Sequence, residues 1–149
     1  MSISMIIDRL YVSAMPTRED VPKLIELDIR LILNMSHHAP VEILSQPPWR
    51  LMNLSTFDLV FIPIPMNKLW MGVMEALPAL QKNESVLVYC HKGRHRSVAM
   101  AACILIAKGS SADNAMRLIA MNRREADPYA WHIQRRIRKF EEQWNKKLP

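Results

Sequence analysis

Two patterns of apolar and polar positions run along the chain. Compact apolar runs at residues 4–7, 10–12, 30–34 (RLILN), 50–54 and 85–89 (SVLVY) have the length and composition of strands. Longer stretches carry apolar residues at helical spacing. Residues 20–27 start with Asp20, suited to the positive end of a helix dipole, and place Pro22 where a first turn tolerates it. Residues 66–80 align Leu69, Val73, Met74 and Leu77, with Pro78 expected to end or kink the helix. Residues 97–108 form an apolar helix stopped by Gly109, residues 111–124 begin on a capping Ser111, and residues 129–145 put Ile133, Ile137, Phe140 and Trp144 on one face. Strands alternating with helices, followed by three helices in a row, predict an α/β fold. Its core is a central, mostly parallel sheet of four to five strands flanked by helices, with ligand sites at the C-terminal ends of the strands.

Composition narrows this to one globular domain over residues 1–149, with 50% hydrophobic and 23% charged residues. Two cysteines exclude a disulfide scaffold, and the longest apolar run, residues 98–107, is too short to span a membrane. The first apolar stretch meets Asp8 and Arg9 too soon for a signal peptide, so a cytoplasmic protein is expected. Charge is uneven: residues 1–84 hold 7 Lys/Arg against 9 Asp/Glu, and residues 85–149 hold 13 against 5. A basic half calls for an anionic partner. Arg135, Arg136, Arg138 and Lys139 lie largely off the apolar face of the last helix with no stacking aromatics, which reads as a solvated face and argues against nucleic acid. The eleven methionines read as core filling.

The chemistry concentrates after SVLVY, in Cys90-His91-Lys92-Gly93-Arg94-His95-Arg96-Ser97. A turn from a strand into a helix N-terminus aims several backbone N–H groups at one point and binds an oxyanion. A cysteine at its base sits in that positive field, which favours the nucleophilic thiolate. Arg96 can clasp two phosphate oxygens, Gly93 permits a close backbone approach, and Ser97 can donate to the sulfur. Cys103, mid-helix among apolar residues, reads as inert core.

Residues 90–97 resemble the Cys-x5-Arg-Ser phosphate loop of the dual-specificity branch of the protein tyrosine phosphatase superfamily, and the resemblance extends over nearly the whole chain. Residues 7–13 (IDRLYVS) are similar to the branch's first strands, residues 24–34 (LIELDIRLILN) to its segment ending in Asn, and Gln134 and Phe140 to positions in its final helix. The resemblance implies a cofactor-free, metal-independent phosphatase with Cys90 as nucleophile, the 90–96 loop as phosphate cradle, Ser97 as thiolate stabiliser and Asn34 as a support bonded to the loop. Phosphate, sulfate or vanadate is expected to bind there. Two departures stand out. Tyr89 occupies the position that is usually His. The variable positions His91, Lys92, Arg94 and His95 are unusually basic, and Gly93-Arg94-His95-Arg96 is similar to a run in plant and fungal atypical relatives that include inositol pyrophosphate phosphatases.

Cleavage also requires a proton for the leaving oxygen, which the family supplies from an upstream Asp. Matching the family's Ile-Pro to Ile62-Pro63 or Ile64-Pro65 puts Met66 at the acid position, and Met cannot donate. Family spacing selects Asp58, 32 positions before Cys90 and the only acid between Glu42 and Glu75. The apolar run after it, LVFIPIP, is expected to cover the site or touch substrate. His37 and His38 lack a cluster of acidic or cysteine partners and read as loop, with His38 a candidate for the pocket mouth. The leading expectation is hydrolysis of phosphotyrosine and phosphoserine/threonine in proteins. Alternatives are a phosphatase for small polyanions (inositol phosphates, phosphoinositides or RNA 5′-phosphates) and a non-catalytic phosphate-binding module. A rhodanese-like sulfur transferase fits less well with Arg96 and Ser97.

Overall fold

The structure, a computed structural model, describes residues 2–147. Five strands form one sheet: β1 (Ile3–Ile7), β2 (Leu10–Ser13), β3 (Ile29–Asn34), β4 (Arg50–Asn53) and β5 (Ser85–Tyr89), in the order β1-β2-β5-β3-β4. Only β1 and β2 are antiparallel; the other three pairings are parallel. Five helices accompany them: α1 (Val21–Glu26), α2 (Met66–Gln81), α3 (Arg96–Ala107), α4 (Ala112–Asn122) and α5 (Trp131–Lys147). The mixed α/β sheet predicted from the sequence is the sheet observed, with boundaries moved by a few residues.

Side-chain alternation along β5 divides the interior. Val86, Val88 and then Cys90 face a core built mainly with α2, α3, α4 and α5. Leu87 and Tyr89 face the opposite way, into a smaller core with Val21 and Leu24 of α1, Leu44 and Trp49. Helix α3 runs through the larger core and is buried at every position from Arg96 to Ile106. Cys103 is fully buried there, and burial pushes its thiol up, as befits an inert core residue. Helix α3 ends in a Schellman motif: Gly109, at φ +113, donates to Ile106 O, and Ser110 N donates to Leu105 O. Ser111 then caps α4 by accepting from Asn114 N at 3.1 Å.

One expectation is narrowed and one corrected. Pro78 does not end α2, which continues to Gln81. It stands in the last turn, where its missing N–H removes one bond and its own carbonyl still accepts from Lys82 N. The methionines are not all core: Met35, Met100 and Met116 are fully buried, but Met5, Met71, Met74 and Met121 are exposed. Among the described residues no helix is long and apolar enough to cross a membrane.

Strand register fixes where the site lies. Ser13, Tyr89, Asn34 and Asn53 pair across the sheet in one row, so β2, β5, β3 and β4 all end level. The loop that leaves β5 emerges at the centre of this row, flanked by the exits of β2 and β3.

Candidate active site

Cys90 directly follows the central strand, 3% exposed, with its sulfur 3.2 Å from the Ser97 hydroxyl in the first turn of α3. Burial alone would push its thiol up. The Ser97 hydroxyl, the backbone N–H groups of Ser97 and Arg94, and the Arg96 guanidinium more than offset this and hold it below its ordinary value of 9.0. The thiolate is therefore favoured by donors that the strand-to-helix turn brings around it.

The amides point inward because the carbonyls are held outward. His91 O accepts from Met15 N, Lys92 O and Gly93 O from the Arg123 guanidinium, and Arg94 O from Asp127 N. A peptide N–H points opposite to its C=O, so each outward carbonyl turns the next residue's N–H toward the anion position. Arg123 Nε, 2.7 Å from Gly93 O, thus orients the Arg94 N–H that assists the sulfur. Gly93 has φ +64, and a Cβ there would meet the Ser13 carbonyl carbon at 2.5 Å, so glycine is required on both counts.

Arg96 opens α3, 4% exposed. Its Nη1 donates to Thr56 O at 2.7 Å, while its Nε is buried without a protein partner. Thr56 is itself held to Met35 O, just beyond β3, by its N–H and its hydroxyl. Arg96 therefore fixes the segment that carries Asp58 and keeps a donor for a phosphate oxygen. A pocket of about 240 Å³ lies in front, lined by His37, His38, Phe57, Asp58, Leu59, His91, Lys92 and Arg96. The structure thus brings Asp58 to the same pocket as Arg96, with His37 stacked on Phe57 at 4.6 Å between ring centres.

The basic loop positions diverge. His91 and Lys92 face the pocket with Arg96. Arg94 turns to Asp127, 3.9 Å away, and His95 lies between Asp58 (3.4 Å) and Asp127 (3.7 Å). His132 of α5 approaches the same Asp58 oxygen at 4.0 Å. Asp58, His95 and His132 are the one cluster among the described residues with the spacing to hold a metal ion. His37 and His38 do not form such a cluster; both line the pocket instead.

Two expected supports sit differently. Asn34 does not bond the phosphate loop. Its Nδ2 donates to His38 O and Asn53 Oδ1, and its Oδ1 accepts from Ser36, so it folds the turn after β3 that presents His37 and His38. The Tyr89 side chain is on the sheet face away from Cys90, because strand neighbours alternate; its hydroxyl is buried without a partner and burial pushes its phenol up. Of LVFIPIP, Leu59 lines the pocket, Leu59, Val60, Phe61 and Ile62 are exposed, and only Ile64 enters the core.

Sequence reasoning missed Arg123, Asp127 and His132. Arg123 had a signal: it follows Ala112, Ala115, Met116 and Ile119 at helical spacing, which puts a cation just past α4 in line with its buried residues. Asp127 and His132 had none, since only the fold brings them to Asp58 and His95.

The fold is similar to that of solved phosphatase and phosphatase-like structures. A structure of PTPMT1 in complex with PI(5)P is similar at TM-score 0.87 and 20% identity, covering 97% of each chain. Human DUSP28 is similar at TM-score 0.86 and 20% identity over 97% of this chain and 99% of that one. The human tyrosine phosphatase-like serine/threonine/tyrosine-interacting protein is similar at 0.83 and 18% identity over 96% and 97%. No protein-family model matches the chain, and no curated protein does.

Proposed function

We propose that the chain is a cysteine-dependent phosphatase that hydrolyses phosphate monoesters through a cysteinyl-phosphate. The observation that carries this reading is the pairing of Cys90, its thiol held low, with Arg96, whose buried Nε has no protein partner. A low-pKa thiolate beside an unclaimed guanidinium donor is a nucleophile with an oxyanion receptor. Cys90 attacks phosphorus in line while Arg96 and the inward amides bind the equatorial oxygens. Asp58 protonates the leaving oxygen, then takes a proton from the water that cleaves the cysteinyl-phosphate. Ser97 stabilises the released thiolate. No step uses a metal.

The substrate class that fits is a phosphorylated protein side chain. Phe57, its stacked partner His37, and Leu59 wall the pocket, as suits a tyrosyl ring; the pocket's exposed edge admits phosphoserine and phosphothreonine as well. A second reading, a small polyanionic substrate such as an inositol phosphate or phosphoinositide headgroup, is favoured by His38, His91 and Lys92 at the same pocket. The PI(5)P complex of a protein with this fold is in keeping with it. The lowered Cys90 thiol weighs against a module that only binds phosphate.

The test is hydrolysis of a generic aryl phosphate in chelator. Activity in wild type and none in Cys90→Ser is expected; an active Cys90→Ser variant overturns the reading. Asp58→Asn is expected to cut kcat by about 10²–10⁴ with KM little changed. Phosphopeptides and inositol polyphosphates assayed side by side separate the two substrate classes.

A further inference from the structure

We propose that Asp58, His95 and His132 form an inhibitory zinc site at the edge of the active pocket. The inhibitory part rests on the reading of Asp58 as general acid; the site itself rests on geometry. One ligand atom from each residue, Asp58 Oδ1, His95 Nδ1 and His132 Nε2, lies within 4.8 Å of the others. Bonds of about 2.0–2.1 Å in a tetrahedron put ligand atoms about 3.3 Å apart. Asp58 Oδ1 and His95 Nδ1 are already 3.4 Å apart, and His132 Nε2 is 4.0 Å from the same Asp58 oxygen, so a side-chain adjustment of about 1–1.5 Å closes the set.

A second, independent feature points the same way. His95 Nε2, the nitrogen not aimed at Asp58, is 3.7 Å from Asp127 Oδ2. A carboxylate behind the far nitrogen of a histidine is the arrangement that sets the tautomer and orients the near nitrogen toward a metal. Asp127 is not free to drift, because its N–H is bonded to Arg94 O of the phosphate loop. Charge also balances: Arg94 and the arginines of α5 make the surroundings positive, but Asp58 and Asp127 together match a divalent ion.

Donor chemistry selects the ion. Two imidazole nitrogens and one carboxylate oxygen suit zinc, whereas magnesium and calcium prefer all-oxygen sets. Three protein ligands leave a fourth position for water. Access is open, because the Asp58 side chain is 43% exposed and His132 lines a neighbouring surface pocket of about 220 Å³ with Trp131 and Phe61. Coordination engages the carboxylate of Asp58, which then cannot carry the proton the leaving group needs. Zinc at this site would thus stop turnover without touching Cys90.

The experiment is titration of zinc chloride into chelator-treated, dialysed Cys90→Ser protein by calorimetry, with magnesium chloride as control. The Cys90→Ser change removes the thiolate as a competing zinc ligand. One zinc is expected to bind per chain, weakened at least 100-fold by His132→Ala and by His132→Gln, and about tenfold by Asp127→Asn. In the active protein, zinc is expected to slow aryl phosphate hydrolysis, and His132→Gln to relieve the inhibition relative to its own zinc-free rate. No zinc binding to Cys90→Ser, or binding that neither His132 variant weakens, overturns the site. Binding that leaves turnover unchanged overturns the inhibitory role. Wild-type turnover by Asp58→Asn in chelator overturns the acid reading instead, and the calorimetry, which needs no activity, still decides the site.

Discussion

Two arginines are buried beside the same loop, one on each flank. Arg96 lies on the β3 side, 4% exposed, and Arg123 on the β2 side, 2% exposed. All three nitrogens of Arg123 are occupied: Nε by Gly93 O, Nη1 by Ser2 O, Ser4 Oγ and Val12 O, and Nη2 by Lys92 O and Glu125. Arg96 bonds Thr56 and Met35 through Nη1 alone and leaves Nε unpartnered. A buried donor without a partner costs about 1–3 kcal/mol, which a fold does not ordinarily tolerate in its interior. The asymmetry therefore separates two tasks that share one chemistry. On the proposed reading Arg123 shapes the cradle and Arg96 is kept ready for the anion, which puts stability on the β2 flank and reactivity on the β3 flank.

The largest effect should come from Arg96→Lys. A lysine ammonium cannot reproduce the fork that reaches Thr56 and a phosphate oxygen together. Aryl phosphate turnover should fall by about 10²–10³ in kcat, the usual cost of losing one transition-state donor. Thermal stability should change little, since a long cationic side chain can still reach Thr56 O. A fall in Tm larger than the loss of activity warrants would break the distinction between the flanks.

Arg123→Met should show the reverse balance. It strands Gly93 O and Val12 O in the interior, at about 1–3 kcal/mol for a buried group left unsatisfied. That corresponds to a Tm lower by roughly 3–10 °C in a domain of this size. Turnover should fall less than in Arg96→Lys, because the Arg94 N–H loses its orientation and the Cys90 thiol moves up. The measurements are a thermal melt and a pH profile of thiol alkylation. An unshifted alkylation profile would make Arg123 a purely structural residue.

How much of this was legible follows from which forces are local. The sheet, the helix order and the 90–97 loop are written in contiguous runs: Val86 to Val88 make a strand, Gly109 stops α3, and the Cys-to-Arg turn between them carries the proposed anion site. Asp58 was reached by spacing, and it lines the same pocket as Arg96. What was not legible is pairing across the fold. Asn34 carried an expected bond to the loop, but Ser36, His38 and Asn53 are nearer partners and take its amide. Tyr89 was grouped with the site because it precedes Cys90, although a strand sends neighbours to opposite faces. Arg123 was hidden in a count of positive charge, where a cation holding four backbone carbonyls looks the same as one facing water.

The smallest and sharpest test is Ser97→Ala, which alters one donor to the sulfur and neither arginine. The Ser97 hydroxyl, 3.2 Å from Cys90 Sγ, stabilises the thiolate over the thiol. Removing it should raise the thiol back toward its ordinary value, because one of the donors that favour the thiolate is gone. The sign follows from which form the donor favours. The acid limb of the turnover profile moves to higher pH, so at pH values below both thiol pKa values the rate of cysteinyl-phosphate formation drops. Above both values the thiolate is fully formed in either protein and alkylation rates converge. Ser97→Thr retains the hydroxyl and should keep the acid limb near its wild-type position. A limb that stays put in Ser97→Ala would mean that the loop amides and Arg96 alone hold the thiolate, moving all of the pKa control to the backbone that Arg123 orients.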